Sequence, residues 1–134
     1  MILAFDYGTH KIGVASGNML VGTATPLKAL PCKNTQPNWD DIAALLKEWE
    51  PEALVVGLPL NMDGSDSDST ARARKFANRL HGRYGKKVWL VDERLSTREA
   101  RERTGIQKAD SRVDSMAAVI IAEGFFAGDA EPIG

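Results

Sequence analysis

The stretch LAFDYGTHKIGVA, residues 3–15, decides the fold because it places an acid between two apolar runs. A short turn containing Gly8 separates the runs, which predicts a β-hairpin. Asp6 ends the first run, where a buried carboxylate is costly unless a cation neutralises it. The first question that the sequence raises is therefore which cation meets Asp6.

Outward from this hairpin, the chain predicts a mixed α/β sheet of five strands flanked by helices. The strands are expected over about 2–6, 11–16, 20–30, 53–56 and 88–91. The first three form antiparallel hairpins, and the two later all-apolar runs are typical of buried parallel strands. Residues 31–37 read as a polar loop. We expect one domain over residues 1–134, with a mobile loop at 104–112 and a tail at 128–134.

Four helices are predicted from capping residues and apolar spacing. The first follows Asn38 and ends before Pro51, and the second spans about 70–81. A short helix opens at the capping box of Ser96–Glu99. The last helix carries an apolar stripe of Val113, Met116, Ala117, Ile120 and Ile121.

The composition is that of an ordinary globular protein, with 43% hydrophobic and 26% charged residues. No apolar run approaches the length of a membrane span, and the opening MILAFDYG has neither a basic region nor a cleavage site. The lone Cys32 fits a reducing compartment. We expect a cytoplasmic protein that has no membrane partner.

Positive charge is concentrated in one segment, since residues 71–91 hold seven Lys/Arg and no acid. Four of these cations share one predicted helix face and are called the basic stripe: Arg72, Lys75, Arg79 and Arg83. A charge run usually marks a solvated face, but solvated faces normally mix both signs, so phosphate contact is favoured. Further candidate phosphate contacts are Lys11, Arg94, Arg98 and Arg112. No aromatic ladder accompanies them, which favours recognition of the nucleic-acid backbone over base stacking.

Acids cluster at the predicted carboxyl edge of the sheet. Asp6 ends one strand and Asp92–Glu93 ends another, while Asp114 lies on the packed stripe of the last helix. Singly, each has another explanation: a turn, a helix N-terminus or an ion pair with a neighbouring arginine. Together, three converging carboxylates favour a divalent cation such as Mg²⁺ or Mn²⁺. Such a cation would be the partner of Asp6.

Five ordered motifs resemble the YqgF family of RNase H-like proteins. They are DYGTHKIGVA, VVGLPLNMDGS, TARARKFANRL, DERLST and VDSMAAVII, and the resemblance runs from residue 3 to about residue 126. Members of this family are assigned as pre-16S rRNA nucleases and were formerly assigned as Holliday junction resolvases. The resemblance implies an RNase H-like fold and matches Asp6, Glu93 and Asp114 to the family's acidic positions. It also favours Glu93 over Asp92, which strand alternation leaves open because both faces of this strand are apolar.

Two positions depart from the expected pattern. The family commonly has Lys where this chain has His10, and imidazole is only partly charged near neutral pH. Better-known RNase H-like resolvases carry a fourth acid one turn beyond the position of Asp114, where this chain has Ala117. The first departure bears on the positive charge expected beside the site, and the second bears on whether two metal ions bind without substrate.

The leading hypothesis is a metal-dependent nuclease that acts on structured RNA, by resemblance the 5′ end of precursor 16S rRNA. Alternatives are a resolvase of four-way DNA, which expects two sites in a dimer, and a non-enzymatic RNA-binding assembly factor. FDYGT also resembles the phosphate loop of sugar-kinase and actin-like ATPases, but these bind nucleotide between two such domains and 134 residues supply one. The expected oligomeric state is a monomer or a weak homodimer.

Overall fold

The computed structural model describes residues 1–93 and 115–133. The strands are β1 (Ile2–Tyr7), β2 (Lys11–Asn18), β3 (Thr23–Lys33), β4 (Gln36–Pro37), β5 (Ala53–Leu58), β6 (Lys87–Asp92) and β7 (Ala130–Pro132). The helices are α1 (Trp39–Trp49), α2 (Asp68–Tyr84) and α3 (Met116–Phe126). None of the helices in these two ranges is long and apolar enough to cross a membrane.

The strands form one mixed sheet in the order β4-β3-β2-β1-β5-β6-β7. β1 pairs antiparallel with β2 and parallel with β5, and β5 pairs parallel with β6. The predicted class and the mixture of strand directions are confirmed. The described part of the sheet has seven strands rather than five, because two short edge strands, β4 and β7, pair with β3 and β6.

Alternating side chains of the central strands enter two separate cores, one on each face of the sheet. On the first face, Leu3 and Phe5 pack with residues of α1 and α2, including Phe76 and Leu80. On the second face, the neighbouring strand positions pack with α3. Residues of this second core include Ile2, Ala4, Val55, Val91, Ala118 and Ile121. The molecule therefore has three layers, helix, sheet and helix.

The first two helices begin at side-chain caps. Asn38 accepts from the backbone N–H groups of Asp40 and Asp41, as expected from the sequence. α2 begins earlier than predicted because Ser67 and Thr70 form a reciprocal capping box. The Thr70 hydroxyl also donates to the carbonyl of Pro59 at 2.6 Å, which ties the start of α2 to the end of β5.

The helix α3 is buried on more than the predicted stripe. Ala118, Val119 and Ala122 are buried as well as the expected Ala117 and Ile121, whereas Ile120 is partly exposed. The helix lies close to the sheet because its facing residues are small. A Cβ on Gly124 would come within 2.9 Å of a methyl group of Val91.

Three further predicted segments differ in extent or form from the structure. The third strand spans Thr23–Lys33 rather than about 20–30, because residues 19–22 form an exposed turn that needs a positive φ at Gly22. The predicted polar loop at 31–37 contains the end of β3 and the whole of β4, and Cys32 lies in β3. The predicted tail contributes β7 to the sheet. The predicted mobile loop at 104–112, the Ser96–Glu99 capping box and Val113 lie outside the described residues.

Candidate active site

Asp6 and Glu93 meet on the face of the sheet that α3 covers. Strand alternation after Ile2 and Ala4 places Asp6 on this face. Glu93 follows Val91 in the same way, and its backbone N–H donates to the carbonyl of Leu58 at 3.0 Å, which extends the pairing of β6 with β5 by one residue. The two side chains form a hydrogen bond.

Gly57 makes room for the Glu93 carboxylate between β1 and β6. A Cβ at this position would come within 2.9 Å of the carboxylate carbon of Glu93, and it would also collide with the end of Ile121. The Glu93 carboxylate therefore lies against the backbone of β5 at Gly57, with its Oε2 atom buried. A glycine inside an apolar strand often marks such a close approach, and that signal was available in the sequence.

Burial dominates the electrostatics of Asp6. Desolvation raises the pKa of its carboxyl to about 6, and the hydrogen bond with Glu93 opposes this rise. A pair of carboxylates in contact, one of which has a raised pKa, disfavours the state in which both are ionised. A cation bound between the two carboxylates would instead favour the state in which both are ionised.

Ser115 fixes the start of α3 against the hairpin that carries Asp6. Its side chain is fully buried, and its hydroxyl accepts from the backbone N–H of Val14 at 3.0 Å. The hydroxyl makes no cap hydrogen bond to its own helix. This bond lies beside the irregularity in the pairing of β2 with β3, between Ile12 and Val14. The sequence analysis did not identify this role of Ser115.

The structure separates the two adjacent acids that the sequence could not distinguish. Val88 and Leu90 belong to the first core, whereas Trp89 and Val91 belong to the second. By this alternation Asp92 falls on the first face, where it is exposed, and Glu93 falls on the face of Asp6. The geometry therefore places Glu93, the acid favoured by resemblance, on the face of Asp6, and its role in the site stays a prediction.

The sequence also predicted site residues other than this pair. Asp114, Arg94, Arg98 and Arg112 lie outside the described residues, and Lys11 is exposed at the first position of β2. Within residues 1–93 and 115–133 no group of three or more His, Cys, Asp or Glu side chains could hold a metal ion. The described part of the chain thus supplies two carboxylates at this place. Ala117, at the position of the missing fourth acid, is buried in α3.

The basic stripe lies on the opposite face of the sheet from the acidic pair. Tyr7 follows Asp6 in β1, points to the other face and stacks on Phe76 of α2 with ring centres 5.1 Å apart. Beside this stack is a cavity of about 200 Å³. It is lined by Tyr7, Thr35, Gln36, Pro37, Arg72, Lys75, Phe76 and Arg79, and we call it the basic cavity. Three of the four stripe residues thus share one concave surface.

Arg83, the fourth stripe residue, has a different position. Its guanidinium lies over the ring of Trp39, 4.2 Å from the ring centre. Trp39 in turn stacks on Phe76 at 5.9 Å. Arg83 is therefore held against the aromatic cluster and does not line the basic cavity.

Comparison with known proteins agrees with this architecture. Residues 1–128 match the family described as "RuvX: Holliday junction resolvase". A protein of Alcanivorax borkumensis named "Putative pre-16S rRNA nuclease" is 93% identical over 131 residues, which are 98% of each chain. A protein of the same name from Chromohalobacter salexigens is 55% identical, over 96% of this chain and 90% of the relative. Another from Escherichia coli is also 55% identical, over 93% of this chain and 94% of the relative.

A solved structure has a similar fold at low sequence identity. RuvC of Thermus thermophilus, in complex with a Holliday junction substrate, superposes with a TM-score of 0.55 and 16% identity, over 98% of both chains. This likeness confirms the RNase H-like fold expected from the resemblance. The family model and the curated relatives cover nearly the whole chain, and the chain is a member of the RuvX family.

Proposed function

We propose that this protein is a metal-dependent nuclease whose reaction takes place at the Asp6–Glu93 pair. The observation that carries the proposal is the contact between these carboxylates on the α3 face of the sheet. Burial that raises the pKa of Asp6 to about 6 is unfavourable for a purely structural carboxylate. Perturbed carboxylates of this kind are typical of functional sites.

A divalent cation fits the residues that are present. Carboxylate oxygens are the preferred ligands of Mg²⁺ and suit Mn²⁺ as well. Asp6 and Glu93 would hold the ion, and we propose Asp114, which precedes Ser115 in the chain, as the third carboxylate. When bound, the ion would supply a nucleophile from water and neutralise charge on the phosphate.

The rest of the site positions these acids. Gly57 leaves the space into which Glu93 fits, and the bond between Ser115 and Val14 fixes the start of α3 against the strand next to Asp6. The packing of Ile121 beside the Glu93 carboxylate removes water from its inner side. The chain therefore holds both oxygen ligands in place before substrate arrives, which reduces the reorganisation that cleavage requires.

The proposed substrate is precursor 16S rRNA, because the relatives that are 55–93% identical are named for it. A four-way DNA junction is the second candidate. It is favoured by the description of the matching family and by the junction bound to RuvC, which shares the fold. The acidic pair supports hydrolysis of a phosphodiester in either case.

The test is to incubate purified protein with precursor 16S rRNA and with a four-way DNA junction, each with Mg²⁺, Mn²⁺ or EDTA. We expect defined cleavage of the rRNA near its 5′ end with either ion and none with EDTA. Cleavage of the junction alone would replace the proposed substrate with the second candidate. Absence of cleavage of both nucleic acids with both ions would contradict the proposed activity.

A further inference from the structure

The basic cavity lies at the same end of β1 as the acidic pair but on the other side of the sheet. Asp6 and Tyr7 are consecutive residues of an extended strand, so their side chains leave β1 in opposite directions. Asp6 meets Glu93, and Tyr7 forms one wall of the cavity. A ligand in the basic cavity therefore could not be the phosphate that contacts the acidic pair.

The cavity is strongly positive. Arg72, Lys75 and Arg79 line it, and among the residues that the structure describes no acid does. Within residues 1–93 and 115–133 none of these three cations has a carboxylate within salt-bridge distance. On the same helix, Arg74 is neutralised by Asp66 at 2.8 Å. Three cations around one concavity, with no acidic partner in the described part of the chain, are arranged for an anion.

The walls of the cavity are held rigidly. Phe76 packs edge-on against Phe5 at 5.8 Å and is stacked between Tyr7 and Trp39. The Tyr7 hydroxyl donates to the carbonyl of Thr35. The backbone of the segment before α1 is thereby joined to the end of β1, which closes one side of the cavity.

Arg79 is oriented before any ligand binds. Its Nη1 donates to the side-chain oxygen of Gln36 at 2.9 Å. A guanidinium carries five N–H donors in a fixed planar arrangement, so one bond to Gln36 leaves donors for an anion. Because the side chain is already ordered, binding would cost less conformational entropy.

We propose that the basic cavity binds a phosphomonoester, the dianionic phosphate at the 5′ end of a nucleic-acid strand. A terminal phosphate carries about −1.5 to −2 charges near neutral pH, whereas a backbone diester carries one. Three cations around a cavity of about 200 Å³ match the charge of a terminal phosphate better than the charge of a backbone diester. The identity of the strand as RNA rests on the proposed function, but the preference for a phosphomonoester does not.

The test measures binding without cleavage, so that it is independent of the nuclease activity. Fluorescence anisotropy in EDTA would compare two short single-stranded RNAs, labelled at the 3′ end, that differ only in a 5′-phosphate or a 5′-hydroxyl. We expect the unaltered protein to bind the phosphorylated RNA about tenfold more tightly, the size expected of a charge-assisted hydrogen bond. Equal affinity for the two RNAs would overturn the proposal.

Two substitutions test whether the preference for the 5′-phosphate arises in the basic cavity. Lys75→Gln and Arg72→Gln should each remove most of it while leaving the affinity for the 5′-hydroxyl RNA nearly unchanged. The matched control is Lys87→Gln, which removes the same charge from an exposed lysine on β6 that lies over Trp89. The control should keep the preference. If all three variants lose it equally, the phosphate is not bound in the basic cavity.

A competitor distinguishes the two sources of a phosphomonoester. A nucleoside 5′-monophosphate that displaces the phosphorylated RNA from the unaltered protein, but not from Lys75→Gln, would show that the cavity also accepts free nucleotides. Displacement only by a second 5′-phosphorylated RNA would show that it requires a strand end. Displacement of the 5′-hydroxyl RNA to the same extent as the phosphorylated RNA would contradict a phosphomonoester site.

Discussion

Replacing Asp6 by Asn should increase the unfolding free energy of the metal-free protein relative to the unaltered protein as the pH rises from acid to neutral. Burial raises the pKa of the Asp6 carboxyl from 3.8 to about 6, so the folded protein holds its proton more tightly than the unfolded chain. Stability contributed by this group is fully present below pH 3.8 and is lost as the pH rises through 6. Asn does not titrate, and its amide keeps a hydrogen-bonding group of similar size beside Glu93.

The magnitude follows from the size of the shift. A rise of about 2 pKa units corresponds to about 3 kcal/mol of unfolding free energy. Between pH 4 and pH 7 the difference in stability between the two proteins should therefore change by about 2.4 kcal/mol in favour of Asp6→Asn, and the rest of the change lies below pH 4. Adding Mg²⁺ should reverse much of this change, because an ion at 100 times its Kd stabilises a folded protein by about 2.7 kcal/mol.

Urea denaturation in EDTA across this pH range measures the effect. The matched control is Asp92→Asn, since Asp92 is exposed on the other face of the sheet. Its stability difference from the unaltered protein should vary by less than about 0.5 kcal/mol. A difference between Asp6→Asn and the unaltered protein that is independent of pH would refute the argument from burial.

Three further variants test the structure around the site. Gly57→Ala should displace the Glu93 carboxylate, lower the cleavage rate at least tenfold and cost about 1–3 kcal/mol in urea denaturation, because its Cβ has no space. Ser115→Ala should cost about 1–3 kcal/mol, because it leaves the N–H of Val14 without its acceptor. Lys75→Gln should reduce the log–log salt slope for binding of 5′-phosphorylated single-stranded RNA by about 0.7, the value for one phosphate contact, and should leave the slope for the 5′-hydroxyl RNA nearly unchanged.

Each of these variants has a matched control in α2 or β6. Gly82→Ala adds a methyl group where nothing lies within 4 Å, and it should raise the stability slightly. Ser69→Ala removes an exposed hydroxyl and should change the stability by less than about 0.5 kcal/mol. Lys87→Gln should leave the salt slope unchanged. The corresponding argument fails if a test variant behaves like its control.

The sequence was sufficient to predict that Asp6 lies near the end of a buried strand in a mixed sheet, although β1 continues to Tyr7. The apolar runs around it and the all-apolar β5 carry that information in their residue types. The choice between Asp92 and Glu93 could not be made from strand alternation, because both faces of β6 are covered. It depends on which core holds Val91, and that is set by the packing of α3.

The basic stripe shows the same limit. Helical spacing predicted correctly that Arg72, Lys75 and Arg79 share a face, since neighbouring turns of α2 align them. Spacing within one helix contains no information on which side of the sheet the helix packs. The structure places the stripe on the opposite side from the acids, beside Tyr7, which the sequence analysis did not single out.

The most direct test of the proposed site compares two neighbouring acids in one cleavage assay. Glu93→Gln and Asp92→Asn each remove one carboxyl group next to the end of β6, but only Glu93 meets Asp6. With precursor 16S rRNA and Mg²⁺, Glu93→Gln should lower the cleavage rate by about a hundredfold or more, the scale of losing a group that stabilises the transition state. Asp92→Asn should stay within about twofold of the unaltered protein, since surface substitutions usually cost under 0.5 kcal/mol. Near-normal cleavage by Glu93→Gln, or an equal loss in both variants, would contradict the assignment of the reaction to the Asp6–Glu93 pair.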